Sequence, residues 1–156
     1  MDKHTKFMKE AVQLASENIS KGGGPFAAVI VKDEKIISRS GNSVTLTNDP
    51  TAHAEVNAIR EACRVLNTFH LEGCSIYASC EPCPMCLSAI YWARIDRVFF
   101  AATHEDAADA GFDDSLIYNE IPKPFAERKI QFTHLSSCET LHPFILWKQE
   151  SNKVKY

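Results

Sequence analysis

The sequence predicts an α/β fold of three layers, in which a mixed five-stranded sheet carries helices on both of its faces. Apolar residues recur at helical spacing over residues 5–20, whereas residues 26–31 are continuously apolar, as is typical of a strand covered on both faces. A strand–helix–strand order over residues 75–101 implies a crossover connection and a parallel pair of strands. The chain has 156 residues, 45% hydrophobic and 24% charged, which predicts one domain spanning residues 1–156.

The predicted elements of the first half are, in order, a helix over 5–20, strands over 26–31 and 36–40, and a helix from residue 50 to about residue 66. The first helix ends because three glycines and Pro25 follow it. The polar residues 32–35 predict the turn of an antiparallel hairpin. Asp49 is a capping residue and Pro50 suits the first helical position, so together they predict the start of the next helix.

The predicted elements of the second half are a strand over 75–78, a helix over 83–93, a strand over 97–101, short helices around Ala107 and Leu116, a fifth strand over 130–135 and a last helix from Pro143. The first three alternate as strand, helix and strand, so their two strands should be parallel. The sheet is therefore expected to be mixed, because the hairpin that precedes it is antiparallel.

The charge and the hydropathy of the chain indicate which classes of partner it is expected to bind. It has 17 basic and 20 acidic residues, a net charge of −3, and residues 105–120 carry acidic side chains without Lys or Arg. Nucleic acid is therefore a disfavoured partner. The longest apolar run, residues 26–31, is far shorter than the ~20 residues of a membrane-spanning helix. Because charged residues are also spread over the first twenty positions, we expect a cytoplasmic protein without a membrane partner.

The cysteines indicate metal binding rather than a disulfide framework. Three of the six, Cys80, Cys83 and Cys86, are crowded together, which in a reducing compartment favours a metal site. The other three, which lie apart, are predicted to be buried thiols: Cys63, Cys74 and Cys138.

A histidine and two of the crowded cysteines have the spacing of a zinc site. His53 lies 30 residues before Cys83, and Cys83 and Cys86 are three apart, which puts both on one side of a helix. One imidazole and two thiolates leave the fourth tetrahedral position open, as is typical of catalytic zinc. The sequence therefore predicts one zinc ion per chain.

Glu55 is predicted to be a catalytic proton shuttle rather than a zinc ligand. Zinc held by two thiolates is formally neutral and acidifies water only weakly, so a neighbouring carboxylate is needed to take the proton. His53 and Glu55 are two residues apart, about 200° around a helix, and can reach one metal only near a helix start. One alternative remains open: Cys80 could be a fourth ligand, which would make the protein a structural-zinc binding module without catalysis.

Several segments of the chain resemble the cytidine-deaminase-like superfamily of zinc nucleobase deaminases. They are residues 24–26, 48–55, 79–86, 90–94 and 110–115, together with Asn42. Residues 111–114 and the final Lys155-Tyr156 are similar to the bacterial guanine deaminases within that superfamily. The resemblance implies hydrolysis of guanine to xanthine and ammonia, by attack of zinc hydroxide at C2 with Glu55 transferring protons to N3 and to the leaving amine.

The resemblance also implies the residues that bind the substrate. Asp114 would accept hydrogen bonds from N1–H and the amino group, Asn42 would offer a donor and an acceptor, and Phe26 would stack on the base. Ala54 and Tyr156 complete the implied set, Tyr156 by closing the pocket from the C-terminal tail. A homodimer that exchanges its C-terminal segment between subunits is implied as well.

Other substrates within the superfamily stay open at this point. Guanosine and cytosine are alternatives, as is adenosine in transfer RNA. A transfer-RNA enzyme should be basic and should bind a flipped base, so the net charge of −3 counts against it.

Overall fold

The antiparallel hairpin near the start of the chain follows directly from its sequence. In the computed structural model, which describes residues 2–137 and 139–156, strand β1 (Ala27–Lys32) pairs antiparallel with β2 (Lys35–Gly41). Asp33 and Glu34 between them have φ angles of 49° and 62°. Two consecutive positive φ values are those of a two-residue turn whose twist matches the strands. The predicted hairpin is confirmed.

The sheet of the described residues is mixed and has four strands in the order β2-β1-β3-β4. Strand β3 (Cys74–Cys80) pairs antiparallel with β1 and parallel with β4 (Arg97–Ala102). The helices are, in chain order, α1 (Lys3–Ser20), α2 (Val44–Thr47), α3 (Ala54–Leu66), α4 (Pro84–Trp92), α5 (His104–Asp109), α6 (Ser115–Glu120) and α7 (His142–Gln149). The predicted parallel pair, with α4 between its strands, is confirmed.

Helices cover both faces of the sheet, which explains the continuous apolar run of β1. Successive side chains of a strand point to opposite faces. Ala28 and Ile30 join a core cluster with residues of α3 and α4, whereas Val29 and Val31 join another with residues of α1. Each face of β1 is therefore buried under a different layer of helices.

The fifth strand predicted over residues 130–135 is wrong. In the structure as described, these residues pair with no strand, and the side chains of Ile130 and Leu135 are 74% and 83% exposed. Their sequence suits a strand, but a strand forms only where a neighbouring strand completes its hydrogen-bond ladder. No described strand supplies that ladder here.

The predicted start of the second long helix at Pro50 is also wrong, because α3 begins at Ala54. The carboxylate of Asp49 accepts hydrogen bonds from the backbone N–H and the hydroxyl of Thr51, at 2.8 and 2.7 Å. Asp49 thus closes a local turn of its own instead of capping a helix. The consequence is that His53 becomes the N-cap residue of α3.

The described chain divides into two compact units, one ending at Ser115 and the other comprising Leu116–Tyr156. The sheet and both core clusters lie in the first unit. None of the described residues of the second unit is buried. No helix within residues 2–137 and 139–156 is both long and apolar enough to cross a membrane. The single domain expected from the chain length stays a prediction.

The three isolated cysteines differ in their surroundings. Cys74 is fully buried and Cys63 is half-buried. Burial raises the pKa of both thiols, as expected for unreactive side chains. Cys138 lies outside the described residues.

Candidate active site

The first residues of α3 and α4 bring three metal-ligating side chains together. His53 is the N-cap residue of α3, and Cys83 is the N-cap residue of α4, with Pro84 directly after it. Cys86 lies in the first turn of α4. Side chains at a helix start reach past its end, and the ligand atoms of these three residues all lie within 4.8 Å of one another. The group could hold one zinc ion.

The distances within this group fit zinc. The Nδ1 atom of His53 is 3.6 Å from the Sγ atom of Cys83 and 3.6 Å from that of Cys86. Zinc bonds of about 2.3 Å to sulfur and about 2.05 Å to nitrogen, at the tetrahedral angle, place those atoms about 3.6 Å apart. The cluster therefore has the dimensions of three corners of a zinc tetrahedron.

The thiol of Cys80 is hydrogen-bonded outside the metal-ligating group. Its thiol, at the end of β3, donates a hydrogen bond to the carbonyl oxygen of Thr103 at 3.4 Å. Burial raises its pKa to about 11, so the thiol is the stable form. Within the part of the chain that the structure describes, the metal-ligating group contains only His53, Cys83 and Cys86. These contacts do not support the closed structural site with Cys80 as a fourth ligand.

The pKa values of the two thiols of the cluster are shifted in opposite directions. A hydrogen bond from the Cys86 thiol, together with His53, lowers the pKa of Cys83 to about 4. The same hydrogen bond and burial raise the pKa of Cys86. The first thiolate therefore forms readily and the second is held back. A divalent cation would release the remaining proton, because metal ligation requires both thiolates.

Glu55 lies beside the cluster in a buried position. It is in the first turn of α3, is 7% exposed and lines the same cavity as His53 and Cys83. Burial raises the pKa of its carboxyl group, with the nearby Cys83 thiolate adding to the effect. A raised pKa of this kind is typical of carboxyl groups that transfer protons in catalysis.

A cavity of about 670 Å³ joins these residues to three of the predicted substrate-binding residues. Phe26, Asn42 and Asp114 all line it. The ring of Phe26 meets that of Phe112 edge-on, with centroids 4.9 Å apart. The side-chain oxygen of Asn42, a residue 8% exposed, accepts the N–H of Val44 at 3.2 Å, which fixes its amide.

The two neighbouring carboxylates on this cavity have different environments. Asp113 is exposed, and hydrogen bonds from the side chain of Ser115 and from its backbone N–H, the latter at 2.9 Å, lower the pKa of the Asp113 carboxyl group. Asp114 is half-buried, and burial raises its pKa. Asp113 thus serves the start of α6, whereas Asp114 is the carboxylate suited to meeting a ligand.

Two predicted residues are placed elsewhere. Ala54 is fully buried in the core and, among the described residues, is not one of those that line the cavity. As the first residue of α3 it could contribute only its backbone N–H, which has no acceptor within the helix. Tyr156 belongs to the second unit and its side chain is 74% exposed. The roles of both residues stay predictions.

The sequence reasoning missed an ion pair on the cavity wall. Glu81 follows β3 and His104 follows β4, and both line the cavity. The Nδ1 atom of His104 is 2.9 Å from a carboxylate oxygen of Glu81, which raises the pKa of the imidazole. The predicted parallel pairing of β3 and β4 was a sufficient signal for Glu81 and His104, because parallel strands bring their carboxyl ends to the same edge of a sheet.

Comparison with known proteins agrees with this geometry. Residues 1–102 match the family described as the cytidine and deoxycytidylate deaminase zinc-binding region. The chain belongs to this family. The matched residues include all three members of the metal-ligating group and Glu55, so the zinc centre lies within the part that defines the deaminase family.

Deaminases with different named substrates are similar to this chain. Guanine deaminase of Bacillus subtilis (strain 168) is 58% identical over 154 residues, covering 98% of this chain and 99% of the relative. An X-ray structure of guanine deaminase from Bacillus subtilis matches with a TM-score of 0.97, covering 100% of this chain and 99% of that one. The tRNA-specific adenosine deaminase of Aquifex aeolicus is 41% identical over 128 residues, 82% of each chain.

A second guanine deaminase structure is more distant. The enzyme from Nitrosomonas europaea matches with a TM-score of 0.65 at 30% identity, covering 76% of this chain and 65% of that one. The deaminase fold is therefore shared over most of this chain at widely different levels of identity.

Proposed function

We propose that the protein removes the 2-amino group of guanine by hydrolysis, giving xanthine and ammonia, with one zinc ion held by His53, Cys83 and Cys86. The observation that carries the proposal is one cavity lined by both the Glu55 carboxyl group beside the zinc ligands and the Asp114 carboxyl group. The first suits proton transfer, and the second suits recognition of a base that presents hydrogen-bond donors. The match to guanine deaminase along 98% of the chain supports the same substrate.

Glu55 moves the protons of the proposed reaction. A zinc ion held at this site would act as a Lewis acid toward a water molecule. Glu55 takes one proton from that water and gives it to N3 of the ring, where the product keeps it. It then takes the second proton from the oxygen now bonded to C2 and gives it to the departing nitrogen. The oxygen of the water replaces the amino group at C2, and the nitrogen leaves as ammonia, so atoms and charge balance. The buried position of Glu55 suits this role because burial favours the protonated carboxyl group, which can give its proton to the ring.

Asp114, Asn42 and Phe26 recognise the base in this proposal. Guanine presents N1–H and the 2-amino group as neighbouring donors, and a carboxylate accepts from both. Adenine presents an unprotonated N1 instead, which a carboxylate repels. Asn42 meets the remaining polar edge, and the ring of Phe26 stacks on the base. The backbone N–H of Ala54 and the side chain of Tyr156 complete the proposed set.

The proposal is tested by ammonia release from guanine, guanosine, cytosine and adenine, assayed side by side on the zinc-loaded protein. We expect guanine to be the preferred substrate by kcat/KM. Removal of zinc with a chelator should abolish turnover, and added zinc should restore it. A higher kcat/KM for guanosine, cytosine or adenine would assign a different substrate to the same site.

We also propose a homodimer in which the second unit, Leu116–Tyr156, is exchanged between subunits. Its support is the exposure of that unit: four consecutive large apolar residues of α7, Phe144, Ile145, Leu146 and Trp147, are 45–65% exposed. Consecutive residues of a helix point to different sides, so α7 exposes large apolar side chains around most of its circumference, and such a helix needs a partner to cover it. A second copy of the chain, which carries the same surface, is the occupant we propose.

The exchange is tested by mixing two subunits that are each impaired at a different residue. One carries Glu55→Gln and the other carries Tyr156→Ala. If Tyr156 reaches the partner's cavity, the mixed dimer has one complete site, and activity should return toward that of a single wild-type site. If each subunit closes its own cavity, both sites of the mixed dimer remain defective and activity stays low.

We propose that the protein acts in the cytoplasm as one domain, on a small purine and without a nucleic acid or membrane partner. The supporting observation is the thiol pair of the zinc site, which needs a reducing compartment to stay available for metal. Fractionation of cells that produce the protein, with the zinc content of each fraction, tests this location.

A further inference from the structure

Asn18 is a buried polar residue near the end of α1, and it is 7% exposed. Its side-chain nitrogen donates hydrogen bonds to the carbonyl oxygens of Gly24, at 2.7 Å, and Asn42, at 2.8 Å. Two carbonyl acceptors require the NH₂ end of the amide, so its orientation is fixed and both of its hydrogens are used. Among the described residues, Asn18 is not one of those that line the cavity.

The two carbonyl groups that Asn18 binds belong to two segments of the cavity wall. The backbone N–H of Asn42 donates to the carbonyl oxygen of Phe26 at 2.9 Å, and the N–H of Phe26 donates to that of Gly24 at 2.9 Å. Gly24, Phe26 and Asn42 are therefore joined in a ring of hydrogen bonds that the Asn18 side chain closes. This ring sets the spacing of Phe26 and Asn42.

The backbone of both segments packs directly on the Asn18 amide. A Cβ atom added at Gly23 would clash with the Asn18 side-chain nitrogen and would lie 2.5 Å from the Asn42 carbonyl oxygen. A Cβ atom added at Gly41 would lie 2.6 Å from the amide carbon of Asn18. Glycine is required at these positions by close approach, so the wall has little room to shift while Asn18 is in place.

We propose that Asn18 is a positioning residue for the purine: from outside the cavity it fixes the distance between the Phe26 ring and the Asn42 amide. The inference rests on the proposed function, because Phe26 and Asn42 act on a purine only if one enters the cavity. The two side-chain hydrogen bonds of Asn18 go to the recognition side of the site. Its loss should therefore weaken purine binding without releasing zinc.

The test compares Asn18→Ala and Asn18→Asp with a matched control, Ser38→Ala. Ser38 is 4% exposed, and its hydroxyl donates to the carbonyl oxygen of Ala58 at 2.8 Å, so its replacement also removes a buried side-chain hydrogen bond to the main chain. A merely structural residue would lower the active fraction, and hence kcat, without changing KM. Asn18→Asp places carboxylate oxygens against two carbonyl oxygens, which repel them.

We expect kcat/KM for guanine to fall roughly 10- to 100-fold in both Asn18 variants, mainly through KM. The inhibition constant of the product xanthine should rise in parallel. One zinc ion per chain should remain in all three variants, and Ser38→Ala should keep the wild-type KM. Wild-type KM and xanthine inhibition in folded Asn18 variants would overturn the proposal.

Two further measurements keep the test decisive. If the Asn18 variants do not fold, Gly41→Ala disturbs the same amide while keeping it, because the contacts of a Cβ atom added at Gly41 are with the Asn18 side chain. Gly41 is not one of the described residues that line the cavity, so Gly41→Ala should raise KM only through Asn18, and an unchanged KM would overturn the proposal. If wild-type protein does not turn over guanine, the proposed function fails, and hydrogen exchange of the Phe26 and Asn42 amides decides. Exchange faster in the Asn18 variants than in Ser38→Ala supports the positioning role, and equal exchange overturns it.

Discussion

Two groups of residues around the cavity differ in what holds them in place. The metal group (His53, Glu55, Cys83 and Cys86) occupies N-cap and first-turn positions of two helices. The residues proposed to recognise the base, here called the recognition group (Phe26, Asn42 and Asp114), lie just outside regular elements, where contacts such as the hydrogen bond between Asn42 and Val44 hold them. The first group is set by secondary structure and the second by loop contacts.

This difference explains how related proteins can share chemistry and differ in substrate. The family match covers residues 1–102, which include the whole metal group together with Phe26 and Asn42, whereas Asp114 lies beyond it. A guanine deaminase and a tRNA-specific adenosine deaminase are both similar to this chain. Loop positions can change without disturbing the helix starts, so recognition can vary while the metal group stays the same.

The largest expected effect is that of Glu55→Gln, which keeps the shape of the side chain and removes the proton shuttle. We expect kcat for guanine to fall about 10³-fold or more, with one zinc ion per chain retained. Ammonia release and metal analysis on the same sample check this. Loss of zinc in the variant would instead make Glu55 a ligand and would remove the distinction between ligand and shuttle within the metal group.

Asp114→Ala should have the next largest effect. Without the carboxylate, the donors of a bound guanine are left unpaired, and kcat/KM should fall on the order of 10²-fold. Zinc content should not change. Asp113→Ala is the matched control, because the Asp113 carboxylate is exposed and already accepts the N–H of Ser115. Equal losses in the two variants would show that Asp114 has no special role in recognition.

Removal of residues 154–156 tests whether a residue of the second unit, Tyr156, belongs to the recognition group. We expect a loss of roughly 10-fold in kcat/KM, because a site left open to water binds and orients its substrate less well. Zinc content should stay the same, since the metal ligands lie in the first unit. Full activity of the shortened chain would remove Tyr156 from the recognition group.

Local sequence patterns predicted much of the fold around the metal group, although they misplaced the start of α3. The hairpin turn at Asp33-Glu34 and the parallel pair of β3 and β4 follow from apolar runs, turn residues and element order. The spacing of His53, Cys83 and Cys86 likewise predicted a cluster that the structure brings within 4.8 Å. These features depend on residues close in sequence or on a spacing that one metal ion imposes.

Features that depend on distant partners could not be predicted in this way. Residues 130–135 have the composition of a strand but lack a described neighbour to pair with. Asp49 could either cap a helix or close a local turn, and its hydrogen bond with Thr51 shows that it closes the turn. The side chain of Asn18 donates a hydrogen bond to the carbonyl oxygen of Asn42, 24 residues away, and no local sequence pattern predicts this contact.

His104→Gln should show a small, pH-dependent effect on stability. The ion pair with Glu81 raises the pKa of His104, so protonated imidazole favours the folded state. Its contribution is fully present below the ordinary histidine pKa of about 6.5 and is lost as pH rises through the higher pKa of the folded protein. Glutamine can keep a hydrogen bond but does not titrate. The difference in thermal midpoint between wild type and variant should therefore be largest at acidic pH and should decrease above neutrality. A difference that stays constant with pH would indicate that the charge of the imidazole does not contribute to stability.

Cys80→Ser should have the smallest effect of all. It tests whether Cys80, which lies three residues before Cys83, belongs to the metal group. A serine hydroxyl can donate to the Thr103 carbonyl oxygen as the thiol does, so the end of β3 should be preserved. We expect unchanged zinc content and unchanged guanine turnover, whereas Cys83→Ser should lose both. Zinc loss in Cys80→Ser would mean that a third sulfur occupies the position needed by the water molecule, and the chain would then hold its metal for structure rather than for hydrolysis.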